Sequence, residues 1–432
     1  MEISVVGLGR LGSSFAASVA NSGIPVRGVD IDPEVVRAIN TGRSPFAEPR
    51  LDEYLRNAGD RLTATTDATD AIPGTDATFV LVNTYAPDVD GYSLTAVERA
   101  TRDLGRALPD ADGPHLVVLR STVMPGDTES KVVGWLEESS GRTVGDDLHL
   151  CYWPELTALG AIIDSMESPA FRLIGEHTPA AGDRLEAFVE EWTENEAPLV
   201  RTDLTSAEVA KMGINTYVAT KMSFANNLSH VCEGIGADVD EVTDAMAHDP
   251  RIDGGYFTAG VRYGGPCFPH DNDAFEALAD RAGVEAPIAR AADAVNRTHT
   301  AWILDAVADT TPAGGTVAVL GLTYKPGVPV VEESQGMQLL RTARDEYDVI
   351  AYDAIGVDAA RAELDGTGGI TYTDRLETAV ADADTAILTL RDHPITDPSR
   401  YRDVTLVDPW RAFDADDLAD SVVYRPLGRG GG

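Results

Sequence analysis

The chain has 432 residues, 43% hydrophobic and 24% charged, with a formal net charge of −37, which is too long for one core and predicts two or three globular domains. A surface of this sign excludes nucleic acid as a partner, and no apolar run approaches the roughly 18 residues that span a bilayer. Acidic residues are scattered, not gathered in a tail, and lysine occurs only at 131, 211, 221 and 325. Such a surface repels itself in dilute salt, whereas at molar salt the screening length falls to about 3 Å, so the composition predicts a halophile's protein. Strand-like Glu2-Ile3-Ser4-Val5-Val6 begins at once and leaves no room for a signal peptide, which predicts a cytoplasmic protein with no membrane partner. Cys151, Cys232 and Cys267 are odd in number and lack metal-ligand spacing, so neither a disulfide framework nor a metal site is indicated.

In chain order, residues 3–6 read as a strand, Gly7-Leu8-Gly9-Arg10-Leu11-Gly12 as a tight turn, and residues 13–21 as a helix of small side chains. A second strand, 26–29, ends in Asp30. Strand, glycine turn, helix, strand and terminal acid in that order form a dinucleotide-binding unit. The glycines let the backbone approach a pyrophosphate, whose charge sits at the helix N-terminus. Asp30 accepts hydrogen bonds from a ribose diol and repels a 2′-phosphate, so the expected cofactor is NAD rather than NADP. Strands at 78–82 and 116–119 follow, with a helix near 94–106 and another after Pro125. Thr84 and Ser121-Thr122 place hydroxyls at strand ends, where open α/β sheets bind ligands, although hydroxyls there also serve as helix caps. Cys151-Tyr152-Trp153-Pro154-Glu155 delivers a carboxylate to the same edge.

Apolar positions recur at helical spacing across residues 205–233, predicting one long helix between two domains, with Lys211 and Asn215 on a shared face. Further on, Tyr263-Gly264-Gly265-Pro266-Cys267-Phe268-Pro269-His270-Asp271 combines two glycines and two prolines around one thiol. Its backbone is neither helix nor strand, and the loop alone leaves Cys267 open as a nucleophile or a structural thiol. Helices are expected at 239–247 and 271–308, the latter broken near Gly283 and Pro287, and residues 311–315 read as a linker. Strands at 317–320, 349–352, 385–390 and 405–407 then make a second α/β domain. Its first strand runs into Gly321-Leu322-Thr323-Tyr324-Lys325, and Arg411 after Asp408-Pro409-Trp410 is a second cation able to face an anion.

Together these motifs resemble the UDP-glucose/GDP-mannose dehydrogenase family, most of all its UDP-glucose 6-dehydrogenases. The match spans nearly the full length: the fingerprint, Ser121-Thr122-Val123-Met124-Pro125-Gly126, Pro154-Glu155, the Lys211 to Asn215 helix, Asp249-Pro250-Arg251-Ile252, the cysteine loop, and Gly321 to Lys325. The resemblance implies an α/β fold with an N-terminal Rossmann NAD-binding domain (1–200). A central helical domain carries the cysteine loop and dimerises through the long helix (201–310), and a C-terminal Rossmann-like α/β domain holds a sugar nucleotide (311–432). It implies oxidation of the sugar C6 alcohol to a carboxylate with reduction of two NAD, UDP-glucose giving UDP-glucuronate, or GDP-mannose or UDP-N-acetylmannosamine in its place. By that likeness Cys267 forms a thiohemiacetal and then a thioester. Lys211 and Asn215 hold the C6 oxygen, Asp271 assists proton transfer through water, Glu155 activates the hydrolytic water and Thr122 supports it.

The same likeness assigns Gly7, Gly9, Leu11, Gly12, Asp30, Thr84, Thr122 and His270 to the cofactor. Tyr256, Phe257, Thr258, Ala259, Gly260 and Gly264 fall to the sugar nucleotide with Glu155, Lys211, Asn215, Lys325 and Arg411, while Arg251 reaches a neighbouring subunit's substrate. The chain departs from the family where Val35 and His270 replace lysines, Glu332 an arginine and Leu159 a second glutamate. A two-electron β-hydroxyacid dehydrogenase shares the Rossmann domain and a lysine-asparagine face, but neither the cysteine loop nor the second α/β domain. A non-catalytic sugar-nucleotide or NAD sensor would have no use for Cys267, Lys211, Asn215 and Asp271.

Overall fold

Runs of four or five residues, apolar in the inner strands and mixed in the outer ones, form the strands of two sheets, with helices in the intervening segments. The computed structural model describes residues 1–86, 89, 91–108, 113–364 and 368–430. The chain divides into two units, Met1–Gly213 and Ile214–Gly432.

In the first unit the strands are β1 (Ile3–Val6), β2 (Val26–Val29), β3 (Leu62–Thr65), β4 (Ala77–Val80), β5 (His115–Leu119), β6 (Leu148–Tyr152), β7 (Arg172–Glu176) and β8 (Leu199–Asp203). Their order is β3-β2-β1-β4-β5-β6-β7-β8, and β1 pairs in parallel with both β2 and β4, so Ile3 stands between Val26 and Ala77. Among the described residues β7 alone pairs antiparallel, with β6, and β8 follows β7 in parallel. Every residue of β1, β4, β5 and β6 is buried, as expected of strands covered on both faces. Phe15, Phe79, Trp153, Phe188 and Trp192 interlock on one side of the sheet, with Phe15 and Phe79 centroids 4.9 Å apart. The first helix spans Arg10–Asn21 and so starts inside the glycine turn, earlier than expected. β4 ends at Val80, because Leu81 and Val82 already form the loop at the sheet edge.

The expected long helix is Leu204–Ile235, 32 residues or about 48 Å at 1.5 Å per residue, and the boundary between the units falls inside it. In the second unit the helices Val239–Ala247, Phe268–Arg281 and Pro287–Ala308 precede the sheet. The break expected near Gly283 is real: that residue has φ +71° and ends its helix. The second sheet comprises β9 (Thr316–Leu320), β10 (Asp348–Tyr352), β11 (Ile370–Thr373), β12 (Thr385–Leu388), β13 (Thr405–Asp408) and β14 (Val423–Pro426). All are parallel, in the order β11-β10-β9-β12-β13-β14. Both sheets thus reverse strand order beside their first strand, the position where ligands bind in open α/β sheets. Among the described residues no helix is long and apolar enough to cross a membrane.

Candidate active site

In the first unit the glycine turn is built for close backbone approach. Gly7 has φ +93°, and a Cβ there would lie 2.3 Å from the Leu81 carbonyl oxygen; at Gly12 it would lie 1.9 Å from the Gly7 oxygen. A Cβ at Gly9 would meet nothing within 4 Å, so that glycine opens outward. Gly9 is also the N-cap of the helix Arg10–Asn21, with no side-chain cap and no acid in the first turn. The helix therefore presents its N–H groups and its positive end to an anion, with Leu11 in the first turn. Asp30 follows β2, accepting from Leu8 N at 2.7 Å and Asp32 N at 2.9 Å on different oxygens, which leaves both oxygens capacity for a ribose diol. Glycine turn, bare helix end and acceptor acid fit NAD.

At the neighbouring strand ends Thr84 is buried, and Ser121 acts as a stitch: its hydroxyl accepts from Val82 N and donates to Val82 O, both at 2.8 Å. Thr122 beside it is half-buried. Glu155, after β6, accepts from Arg120 Nη2 at 2.6 Å. Arg120 is 4% exposed, and its guanidinium sits in the corner between the rings of Phe15 (4.4 Å) and Trp153 (4.1 Å), which stand 81° to each other. Burial lowers the Arg120 pKa, and the Glu155 carboxylate counters it. A cavity of about 310 Å³ adjoins the pair. On the long helix the buried Glu208 accepts from Gly126 N (2.6 Å) and Thr128 N (3.2 Å), fastening the stretch after Thr122 to the helix; burial pushes its pKa up to about 7. Lys211, also buried, comes one turn later.

In the second unit Cys267 is exposed, whereas Cys151 and Cys232 are buried. It is the N-cap of the helix Phe268–Arg281, whose first turn contains Pro269, so the helix begins at the thiol and not at Asp271. The fully buried Asp271 donates its backbone N–H to the Cys267 carbonyl at 2.8 Å and accepts from Asn215 Nδ2. Gly264 and Gly265 press the loop against residues 324–333: a Cβ at Gly264 would lie 2.2 Å from the Glu333 oxygen, and one at Gly265 2.5 Å from the Tyr324 ring. His270 Nδ1 donates to the Pro266 carbonyl at 2.8 Å, and its Nε2 lies 3.6 Å from Glu332 Oε1. Two of the departures from the family pattern therefore face each other.

Residues 1–193, 205–298 and 318–418 match, in order, the NAD binding, central and UDP binding domains of the UDP-glucose/GDP-mannose dehydrogenase family. The chain belongs to that family. This dehydrogenase is 36% identical over 393 residues to a UDP-glucose 6-dehydrogenase of Haloferax volcanii, covering 90% of each chain. It is 33% identical over 368 residues to a GDP-mannose 6-dehydrogenase of Pseudomonas syringae pv. tomato, covering 84% of this chain and 82% of that one. Its fold matches a UDP-glucose dehydrogenase of the hyperthermophilic archaeon Pyrobaculum islandicum with a TM-score of 0.90 and 30% identity, over 100% and 98% of the chains. The enzyme is an NAD-dependent oxidoreductase with an α/β part at each end and a helical part between them.

Several residues expected at the dehydrogenase's substrate side do other work. Arg411, expected to face an anion, is buried with its N–H groups on protein acceptors: Asp240 through two bonds of 2.8 and 2.9 Å, Pro409 O, Leu427 O and Ala259 O. Phe257 and Ala259 turn inward against Ala225, Cys232 and Val239, leaving only their backbone for a ligand. Thr258 and Tyr256 are exposed, Tyr256 with φ +59°. Arg251 is exposed and grips Asp249 through both carboxylate oxygens, and Lys325 is half-buried on the loop after Gly321. Sequence reasoning missed Arg120, Glu208, Asn226, Asn296, His299 and Gln335. Their one signal was a polar residue on an otherwise apolar helix face or strand end, which does not say what it binds.

Proposed function

We propose that this dehydrogenase oxidises UDP-glucose to UDP-glucuronate in two steps at Cys267. The observation carrying the reading is the exposed Cys267 at a helix N-cap, with Asp271 and Asn215 hydrogen-bonded behind it. A helix N-terminus favours the thiolate. Bound along Gly7, Gly9, Leu11, Gly12, Asp30 and Thr84, with Thr122 and His270 on its reactive side, NAD supplies the hydride acceptor for both oxidations. Lys211 and Asn215 hold the C6 oxygen while the alcohol loses a proton and a hydride to become an aldehyde. The Cys267 thiolate then adds to the carbonyl carbon, and Lys211 and Asn215 stabilise the resulting oxyanion. Loss of a second hydride converts the thiohemiacetal to a thioester. Water positioned by Glu155 and Thr122 adds to that carbonyl, the C–S bond breaks, and thiolate and carboxylate are released. Asp271 passes protons through water.

In this reading Gly264 and the backbone of residues 256–260 line the sugar nucleotide and Lys325 meets its phosphates. The division into residues 1–200, 201–310 and 311–432 follows the three roles. Tyr217, Phe224 and Val231, exposed by 63, 47 and 50% at seven-residue spacing on the long helix, support a homodimer in which Arg251 reaches the partner's substrate. The net charge of −37 supports work in a salt-rich cytoplasm. The GDP-mannose relative makes that sugar nucleotide the second substrate to try. The test is to incubate the enzyme in about 2 M KCl with excess NAD and limiting UDP-glucose, where screening is strong, and count NADH per sugar. Two per sugar supports the reading; one leaves a plain alcohol dehydrogenase with a structural Cys267; none with UDP-glucose but two with GDP-mannose changes the substrate alone.

A further inference from the structure

The backbone from Ala259 to Tyr263 is gripped by side chains at nearly every peptide. Asn226 accepts from Gly260 N and donates to the Val261 carbonyl, both at 3.0 Å, and Arg411 donates to the Ala259 carbonyl at 2.7 Å. Asn296 accepts from Tyr263 N at 2.8 Å and donates to its carbonyl at 3.1 Å, while Gln335 accepts from Arg262 N at 3.3 Å. A Cβ on Gly260 would lie 2.1 Å from the Trp410 ring, so the peptide is confined on that side as well.

The grip on the Gly260 carbonyl differs from the others because it comes from an imidazole. His299, fully buried on the helix Pro287–Ala308, donates from Nε2 to that oxygen at 2.7 Å. A carbonyl only accepts, so Nε2 carries the proton and Nδ1 presents a lone pair. That lone pair accepts from His230 Nε2 at 3.0 Å. The two rings lie within 4° of parallel with centroids 5.2 Å apart, and Trp302 packs on them at 4.3 and 5.1 Å. His230 thus donates to His299 and His299 to the Gly260 carbonyl, a directed series that exists in this form only while His299 is neutral. A proton on His299 Nδ1 would face the Nε2–H of His230 and reverse the bond between them, His230 then having to carry its own proton on Nδ1. The charged groups facing the pair are Glu233 toward His230, and Arg411 and Arg262 toward His299.

We propose that His299, oriented by His230, is a positioning residue for the sugar-nucleotide loop, holding the Gly260 carbonyl so that residues 256–264 are shaped before the substrate arrives. The inference rests on the reading of that loop given above. Burial supports a neutral pair, lowering His230 and taking His299 down to about 4. Since the folded pKa lies below the ordinary 6.5, the unfolded chain takes up this proton first as pH falls. The stabilisation is therefore complete above about pH 6.5 and is lost as pH falls toward 4.

The test measures UDP-glucose binding and steady-state kinetics in His299→Leu and His299→Gln, with thermal unfolding as the check on folding. We expect His299→Leu to raise KM at least tenfold with kcat changed less than threefold. In His299→Gln, whose amide can donate to the same carbonyl, KM should return to within threefold of the parent, and it should stay level as pH falls toward 4, where protonation of His299 should raise the parent's KM. A His299→Leu enzyme with unchanged KM, or one losing kcat alone, overturns the proposal. If His299→Leu does not fold, His230→Phe, which removes only the first donor, takes its place with the same expectation and the same overturning result. A parent enzyme that binds no nucleotide sugar overturns the reading of the loop itself, whereas a parent that binds with variants unchanged overturns the positioning role alone.

Discussion

The two sheets carry the same strand order around their first strands, and three positions of the turns after β1 and β9 correspond. Gly7 (φ +93°) matches Gly321 (φ +110°), and Gly12, blocked by the Gly7 oxygen at 1.9 Å, matches Gly336, blocked by the Gly321 oxygen at 2.1 Å. Asp30 accepts from Leu8 N and Asp353 from Leu322 N, each at 2.7 Å. What differs is who fills the turn. Gly7 leads almost directly into an uncapped helix, whereas residues 322–334 separate Gly321 from the helix Gln335–Ala343, and Ser334 caps that helix through Met337 N at 3.1 Å. Asp30 accepts from two backbone N–H groups; Asp353 also accepts from Thr323 N, Thr323 Oγ, Ile355 N and Gly356 N and has no capacity left. One turn is left for a ligand and the other has folded a loop into itself. That loop supports the cysteine segment, since Gly265 N donates to the Glu332 carbonyl at 3.1 Å.

If the second turn serves the cysteine rather than a dinucleotide, the largest effect belongs to the thiol. Cys267→Ala should lower net NADH production at least about a thousandfold while leaving NAD affinity within twofold, measured by steady-state assay and calorimetry. Near-normal turnover would remove the covalent route. Next, Gly9→Val should weaken NAD binding roughly a hundredfold at little cost to the melting temperature, because its Cβ has open space in the protein and collides only with a bound pyrophosphate. Gly336→Val should do the reverse, destabilising the fold by about 3 kcal/mol with NAD affinity unchanged in whatever folds. Loss of NAD affinity in Gly336→Val would break the distinction between the two turns. A smaller contrast is expected for the acids. Asp30→Asn should narrow the preference for NAD over NADP about tenfold with little effect on stability. Asp353→Asn should cost about 2 kcal/mol of stability and leave that preference alone. Smallest of all, Ser334→Ala should cost about 1 kcal/mol in chemical denaturation, as loss of an N-cap does.

Much of the first unit could be read from the chain because its signals are local. The fingerprint, its strand and Asp30 lie within thirty residues and need only backbone geometry to work together. The long helix was equally legible, since helical spacing over residues 205–233 fits no other element. The reversal of β7 and β8 against β6 left no local mark, because strand direction depends on where the chain has returned from. Arg411 misled for a related reason: a cation after a strand looks available until Asp240, 171 positions away, is found beside it. His270 and Glu332 were each read as a lost cation; only the fold places them 3.6 Å apart.

The sequence by itself determined the family, the cofactor class, the cysteine loop and the alternating α/β plan, all of which rest on short spacings and backbone preferences that neighbouring residues impose. Tertiary structure alone decided that Arg120 would be enclosed by two aromatic rings and hold Glu155, that Asn215 would bond Asp271, and that His299 would meet Gly260. Those pairings are made because a buried polar group must find a partner, and which partner is within reach is set by the packing of distant segments.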